Sequence, residues 1–120
     1  VNVDVAPTLL DLTGLPTPKD MQGHSFAKML AGKRQPANWR KSSLYSYWSI
    51  GPKHYGIRGQ RYTYLKINDH TELFDRQDDP NQITNLGPNP EYASILRNLE
   101  TELQKQIKET KFAEKDWPKN

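Results

Sequence analysis

Residues 54–75 read HYGIRGQRYTYLKINDHTELFD, and this stretch decides the fold. It is rich in aromatic and β-branched residues, which favour strands. Within it Tyr62 and Tyr64 alternate with Thr63 and Leu65, the period of two expected of a strand with both faces partly covered. The stretch therefore predicts three short strands, at residues 55–58, 61–67 and 72–75.

Turn-forming residues separate these strands. Gly59-Gln60, with glycine first, predicts a type II′ hairpin turn, and Asn68-Asp69-His70 predicts a second turn. Upstream, the aromatic residues 44–50 form one more strand candidate, which Gly51-Pro52 ends. Together these segments predict a meander of about four antiparallel strands.

A long amphipathic helix follows the sheet. Asn89 is placed to cap it, Pro90 to take its first position, and Glu91 to complement its N-terminus. We expect this helix, residues 90–109, to be about 28 Å long and to lie across one side of the sheet. The predicted fold class is α+β: a four-stranded antiparallel sheet with a long C-terminal helix packed across it. The apolar face of the helix recurs at three- and four-residue steps, at Tyr92, Ile95, Leu96, Leu99, Leu103 and Ile107.

Two short helices are predicted before the sheet. The first covers about residues 5–13 and stops at Gly14, and the second is capped by Ser25 and ends at Gly32. Helices this short need a partner surface. Together with a polar linker they predict a division into residues 1–35 and residues 36–120.

Composition narrows the class of protein. A chain of 120 residues with 9 prolines and 7 glycines fits one modest folded domain. The absence of cysteine excludes disulfides, thiolate zinc sites and cysteine nucleophiles. We expect no membrane span, because no apolar run approaches the roughly 20 residues required. There is no signal-peptide pattern, and since the chain opens on Val1 we expect a piece of a longer protein.

The net charge of +3 does not favour nucleic acid as a partner. Lys33, Arg34, Arg40 and Lys41 form only a loose cluster in a predicted loop, not a basic stripe. A metal site is not expected from the histidines, which lie in separate loops. The acidic turn around Asp79 lacks the spacing of a calcium loop, so we interpret its carboxylates as turn caps.

Candidate binding residues cluster at the start of the second strand. The imidazole of His54 and the ammonium of Lys53 could meet an anionic group, although an ordinary surface histidine is the alternative. Aromatic residues including Trp48 could form a stacking platform, or could simply pack the sheet. No catalytic residue is recognised in the chain.

Several segments, taken in order, resemble the type I sulfatases. VDVAPTLLDLTGL at residues 3–15 and MQGHS at residues 21–25 are similar to the end of their large α/β domain. HYGIR at residues 54–58, ELFD at 72–75 and DPNQITNL at 79–86 are similar to their C-terminal subdomain. The resemblance is strongest to bacterial enzymes similar to N-acetylglucosamine-6-sulfatases and arylsulfatases that desulfate glycans.

This resemblance implies a sulfuric ester hydrolase whose formylglycine attacks the sulfate ester beside a bound calcium. Both groups would lie upstream of Val1, so we expect the 120 residues alone to be inactive. The implied partners are the large catalytic domain and a sulfated glycan. The candidate substrate contacts are the residues singled out above, His54, Lys53 and Trp48. A periplasmic or secreted location is implied as well. The alternatives are an independent α+β module that binds carbohydrate or protein, and a small basic nucleic-acid binder.

Overall fold

The computed structural model describes residues 1–47 and 52–113. The chain divides into two compact units, one of Val1–Arg40 and a second that starts at Lys41. The assignment of residues 1–35 to a larger α/β domain stays a prediction.

The first unit contains the two predicted short helices. A 3-10 turn at Asn2–Asp4 leads into α1, Val5–Leu12, and α2 is the single turn Ala27–Leu30. Gly14 follows α1 with a φ of 73°, the left-handed conformation that glycine adopts without strain. The Ser25 hydroxyl accepts a hydrogen bond from the Ala27 backbone N–H at 3.1 Å, but the N-cap of α2 is Phe26 and not Ser25 as predicted.

One buried threonine holds these helices together. The Thr8 hydroxyl donates to the carbonyl of Asp4 at 2.6 Å and accepts from the Phe26 backbone N–H at 3.1 Å. By contrast, much of the apolar surface of α1 faces outward, since Leu9 and Leu12 are 58% and 59% exposed.

The second unit begins with the predicted antiparallel meander. Its strands are β1, Ser42–Tyr47; β2, His54–Gly59; β3, Tyr62–Ile67; and β4, His70–Asp75, in the spatial order β1-β2-β3-β4. The β3–β4 turn contains Asn68 at a φ of 48°, as suits an asparagine in a turn. The prediction of a type II′ turn at Gly59-Gln60 is wrong. Gly59 lies within β2 opposite Ser42 and lacks a positive φ, so the two-residue connection is Gln60-Arg61.

The long helix is confirmed as well. A 3-10 turn at Pro90–Tyr92 leads into α3, Ala93–Thr110, and the Asn89 side chain accepts from the Glu91 N–H at 3.0 Å. The apolar face of α3 covers one side of the sheet. The core centres on four buried residues, Ile57, Tyr64, Leu73 and Leu103. Within the described ranges, no helix combines the length and apolar character needed to cross a membrane.

Side chains cover the backbone of both outer strands. On β1 the Leu44 N–H donates to Oε1 of Gln106 at 2.7 Å, and on β4 the Leu73 N–H donates to Oδ1 of Asn85 at 3.0 Å. An open strand edge can pair with another chain. The side-chain amides of Gln106 and Asn85 occupy one backbone N–H on each outer strand and so hinder such pairing.

Candidate functional site

His54 begins β2, and its neighbours fix the orientation of its ring. Strand pairing places it opposite Tyr47, and the two rings stack with centroids 5.2 Å apart. Nδ1 of His54 lies 2.9 Å from the carbonyl oxygen of Pro52. Since a carbonyl can only accept, Nδ1 donates in this contact and Nε2 is left for other partners.

Tyr45 completes this aromatic group on the same face of the sheet. Its ring meets that of His54 edge-on, at 6.2 Å and 74°. Burial raises the pKa of Tyr45 to about 12, so its hydroxyl keeps its proton at neutral pH. Tyr45 and Tyr47, both on β1, therefore contact the imidazole from two directions.

Lys53 lines an open cleft of about 530 Å³ beside the β3–β4 turn. The cleft brings two ammonium groups, those of Lys53 and Lys66, close to the imidazole of His70. Its other lining residues are Tyr55, Asn68, Asp69 and Thr71. His54 does not line this cleft, so the two candidate residues face different surroundings. Trp48, the third candidate, lies outside the described residues.

Lys66 is held by the helix that crosses the sheet. Its Nζ lies 2.9 Å from Oε1 of Glu100, and the Tyr64 hydroxyl donates to Oε2 at 2.5 Å. Burial alone would raise the pKa of Glu100, but these hydrogen bonds and one from Gln104 bring it below its usual value. Burial, together with the bond to Glu100, raises the pKa of Tyr64. An ionised Glu100 thus fixes the position of Lys66.

The acidic turn after β4 caps backbone groups as predicted. Oδ2 of Asp79 accepts from the N–H groups of Ile83 and Thr84 at 2.7 and 2.8 Å. In the part of the chain that the structure describes, no group of three or more histidine, aspartate and glutamate side chains is arranged to hold a metal ion.

A second cluster lies in the first unit, around Asp4. This carboxylate is 1% exposed; Oδ1 accepts from the His24 backbone N–H at 2.8 Å, and Oδ2 accepts from Nη1 of Arg40. Burial alone would raise the pKa of Asp4, but the bonds from Arg40 and His24 lower it below the usual value. Nη2 of Arg40 lies 2.6 Å from Nδ1 of His24, and the guanidinium carbon lies 5.5 Å from the ring centroid of Trp39.

No local pattern in the sequence indicates this cluster. The other members are 20 and 36 residues from Asp4, and each looks ordinary alone: an aspartate just before α1, a loop histidine and one arginine of a loose basic group. The one feature that could have indicated it is the pair Trp39-Arg40, an aromatic residue beside a cation in a polar linker.

Comparisons with known proteins agree with the fold. The family model described as N-sulphoglucosamine sulphohydrolase, C-terminal, matches residues 1–109. An N-acetylglucosamine-6-O-sulfatase of Bacteroides thetaiotaomicron is 36% identical over 97% of this chain and 23% of its own length. A delta 4,5-hexuronate-2-O-sulfatase of the same organism is 33% identical over 78% of this chain and 21% of its own length.

Solved structures give the same result. One protein in complex with its substrate, D-glucosamine-2-N,6-O-disulfate, superposes with a TM-score of 0.84 and 35% identity, over 92% of this chain and 24% of that one. A 2-O GAG sulfatase superposes with a TM-score of 0.82 and 30% identity, over 90% and 24%. This chain thus spans about a quarter of the length of the proteins it matches. It belongs to the family described as N-sulphoglucosamine sulphohydrolase, C-terminal, and corresponds to the C-terminal region of sulfatases.

Proposed function

We propose that the protein containing this chain is a sulfuric ester hydrolase that removes sulfate from glycans. The main support is the superposition, over 92% of this chain, on a protein bound to a sulfated glucosamine. Relatives named for desulfating an N-acetylglucosamine and a hexuronate support a sulfated sugar as substrate.

The proposed role of this region is to shape the substrate cleft without supplying the reacting groups. His54 and Lys53, with Trp48 beside them in sequence, would contact the sugar or its sulfate. An ammonium group attracts a sulfate, and Nε2 of His54 can hydrogen-bond a hydroxyl or a sulfate oxygen. The stack on Tyr47 would hold the imidazole in place while substrate binds.

Formylglycine and calcium are the groups that we propose for the chemistry, in line with sulfatases generally. The residues of this chain do not fit either group: it has no cysteine and no Ser-x-Pro/Ala-x-Arg sequence from which formylglycine could form, and no three of its described acidic or histidine side chains are arranged to hold a metal ion. Both groups would be held elsewhere in the protein.

The proposed partner of this region is the large catalytic domain. The exposed side chains of Val5, Leu9 and Leu12 on α1 offer an apolar surface for it, and burying one such side chain contributes about 1.5–3 kcal/mol. We also propose a periplasmic or secreted location, where sulfated glycans are met; fractionation of cells would test it.

Kinetics of the complete protein on a sulfated glucosamine oligosaccharide would test the function and the site. We expect His54→Ala and Lys53→Ala each to lower kcat/KM by about 10- to 100-fold, the size of a lost charge-assisted hydrogen bond. Lys105→Ala, an exposed lysine on α3, is the matched control and should behave like the unmutated protein.

Two results would count against the proposal in different ways. If the unmutated protein released no sulfate from any sulfated glycan, the proposed activity would be wrong. If it were active but both variants kept its kcat/KM, the activity would stand and the assigned substrate contacts would not.

A further inference from the structure

The first unit contains a cleft that the proposed contacts at His54 and Lys53 do not use. Its volume is about 350 Å³, within the range of small-molecule sites. One wall is apolar, with Pro36 and Trp39, and the polar groups around it include Thr17, His24 and Asn38. This mixture of a ring face and hydrogen-bonding groups is typical of a site for a small polar ligand.

Asp4 and Arg40 make one side of this cleft rigid. The buried Asp4 carboxylate holds Nη1 of Arg40, whose side chain is only 21% exposed, and Nη2 of Arg40 holds the His24 ring at 2.6 Å. A guanidinium carries only donors, so Nδ1 of His24 accepts and the ring proton lies on Nε2. The cleft therefore has a histidine whose ring orientation and tautomer are both set by its neighbours.

Neighbouring groups also fix the position of Trp39. Its backbone N–H donates to the carbonyl of Pro36 at 3.0 Å, closing a turn, and its ring lies 5.9 Å from that of His24. The side chains of Thr17 and Asn38 make no hydrogen bond within the described ranges, so their donors and acceptors remain available.

Charge selects the class of ligand. The positive charge of Arg40 is paired with the negative charge of Asp4, and each terminal nitrogen of the guanidinium already makes one contact. An anion would gain little here, whereas an uncharged ring with hydroxyl groups would find an aromatic face and several hydrogen-bonding partners.

We propose that this cleft binds an uncharged sugar residue of the glycan, packed on the Trp39 ring and hydrogen-bonded by His24, Thr17 and Asn38. The choice of a sugar rests on the proposed function, because a glycan substrate extends beyond its sulfated residue.

Titration of the complete protein with triacetylchitotriose, an unsulfated trimer of N-acetylglucosamine, tests this directly. After isotopic labelling, the indole N–H signal of Trp39 is identified by its loss in Trp39→Phe and can then be followed through the titration. We expect a saturable shift of the Trp39 signal. By calorimetry, Trp39→Ala should weaken binding about tenfold, as expected for the loss of one packed aromatic ring, whereas Trp39→Phe should keep most of it.

Lys105→Ala, at the exposed lysine of α3, is the matched control and should leave the Trp39 titration unchanged. If the signal of Trp39 stayed still while the trimer bound, the sugar would occupy another site. No binding at all would mean that the cleft is not a site for this sugar. Each result would overturn the inference. Sulfate release is assayed separately and tests the proposed function. The proposed function and the proposed sugar site can therefore fail independently.

Discussion

Arg61 and Asp75 show how a single partly exposed arginine stabilises a buried carboxylate. Asp75, at the end of β4, is 2% exposed, and Nε of Arg61 lies 3.0 and 2.8 Å from its two oxygens. The bonds from Arg61 lower the pKa of Asp75 and outweigh the effect of burial. The same arginine reaches Asp78, whose side chain is 69% exposed. One pair is therefore structural, while the other lies in solvent and contributes little.

This difference predicts a pH effect on stability. Because the pKa of Asp75 in the folded chain lies below the ordinary 3.8, its ionised form stabilises the fold above about pH 4, and this contribution is lost as the pH falls through the lowered value. Asp75→Asn should lower the urea midpoint at neutral pH and flatten its decline in acid. Asp78→Asn should follow the unmutated chain. A steep acid decline that survives in Asp75→Asn would assign the effect to other carboxylates, with Glu100 the next to test.

The stability of the second unit depends on the apolar face of α3. Leu103 of α3 is fully buried against the sheet, whereas Leu99, one turn earlier, is only partly covered. Leu103→Ala should lower the free energy of unfolding by about 2–5 kcal/mol, since it removes packed methyl groups and leaves a cavity. Leu99→Ala should cost less, and Lys105→Ala should cost almost nothing. Urea denaturation measures all three, and equal losses for the two leucines would mean that α3 is rotated relative to the sheet.

The spacing of apolar residues in the sequence predicts most of the strands and helices. The alternation in β3 and the three- and four-residue steps of α3 reflect which face of each element is buried. The spacing of apolar residues in the sequence shows this directly. The start of β1 was missed because Ser42 and Ser43 have little strand propensity and are recruited by pairing with Gly59 and Arg58. That pairing also extends β2 through Gly59 and moves the turn by one residue.

The candidate sites were less predictable than the elements. His54 and Lys53 could be singled out because they stand together at a strand entrance. The contacts between Lys66 and Glu100, and between Arg40 and Asp4, join residues 34 and 36 positions apart. No local pattern encodes such pairs, because they arise only when the elements pack.

Considered as a whole, the molecule consists of two units with different internal support. The second has a sheet, a covering helix and a buried apolar core. The first relies on polar contacts around Asp4 and Thr8, and it leaves Leu9 and Leu12 more than half exposed. Since α1 has only 8 residues, it cannot draw much stability from its own hydrogen bonds.

Amide hydrogen exchange should therefore separate the units. In the dilute 120-residue chain we expect the amide of Leu9 to exchange much faster than that of Leu103, because local opening of α1 exposes little additional apolar surface. In the complete protein the Leu9 amide should be slowed towards that of Leu103, if the large domain covers α1 as proposed. Leu9→Ser provides the matched change: it should hardly alter the stability of the isolated chain but should destabilise the complete protein. Equal protection of Leu9 and Leu103 in the isolated monomer would show instead that the first unit is stable without a covering domain, and the outward leucines would then need another explanation.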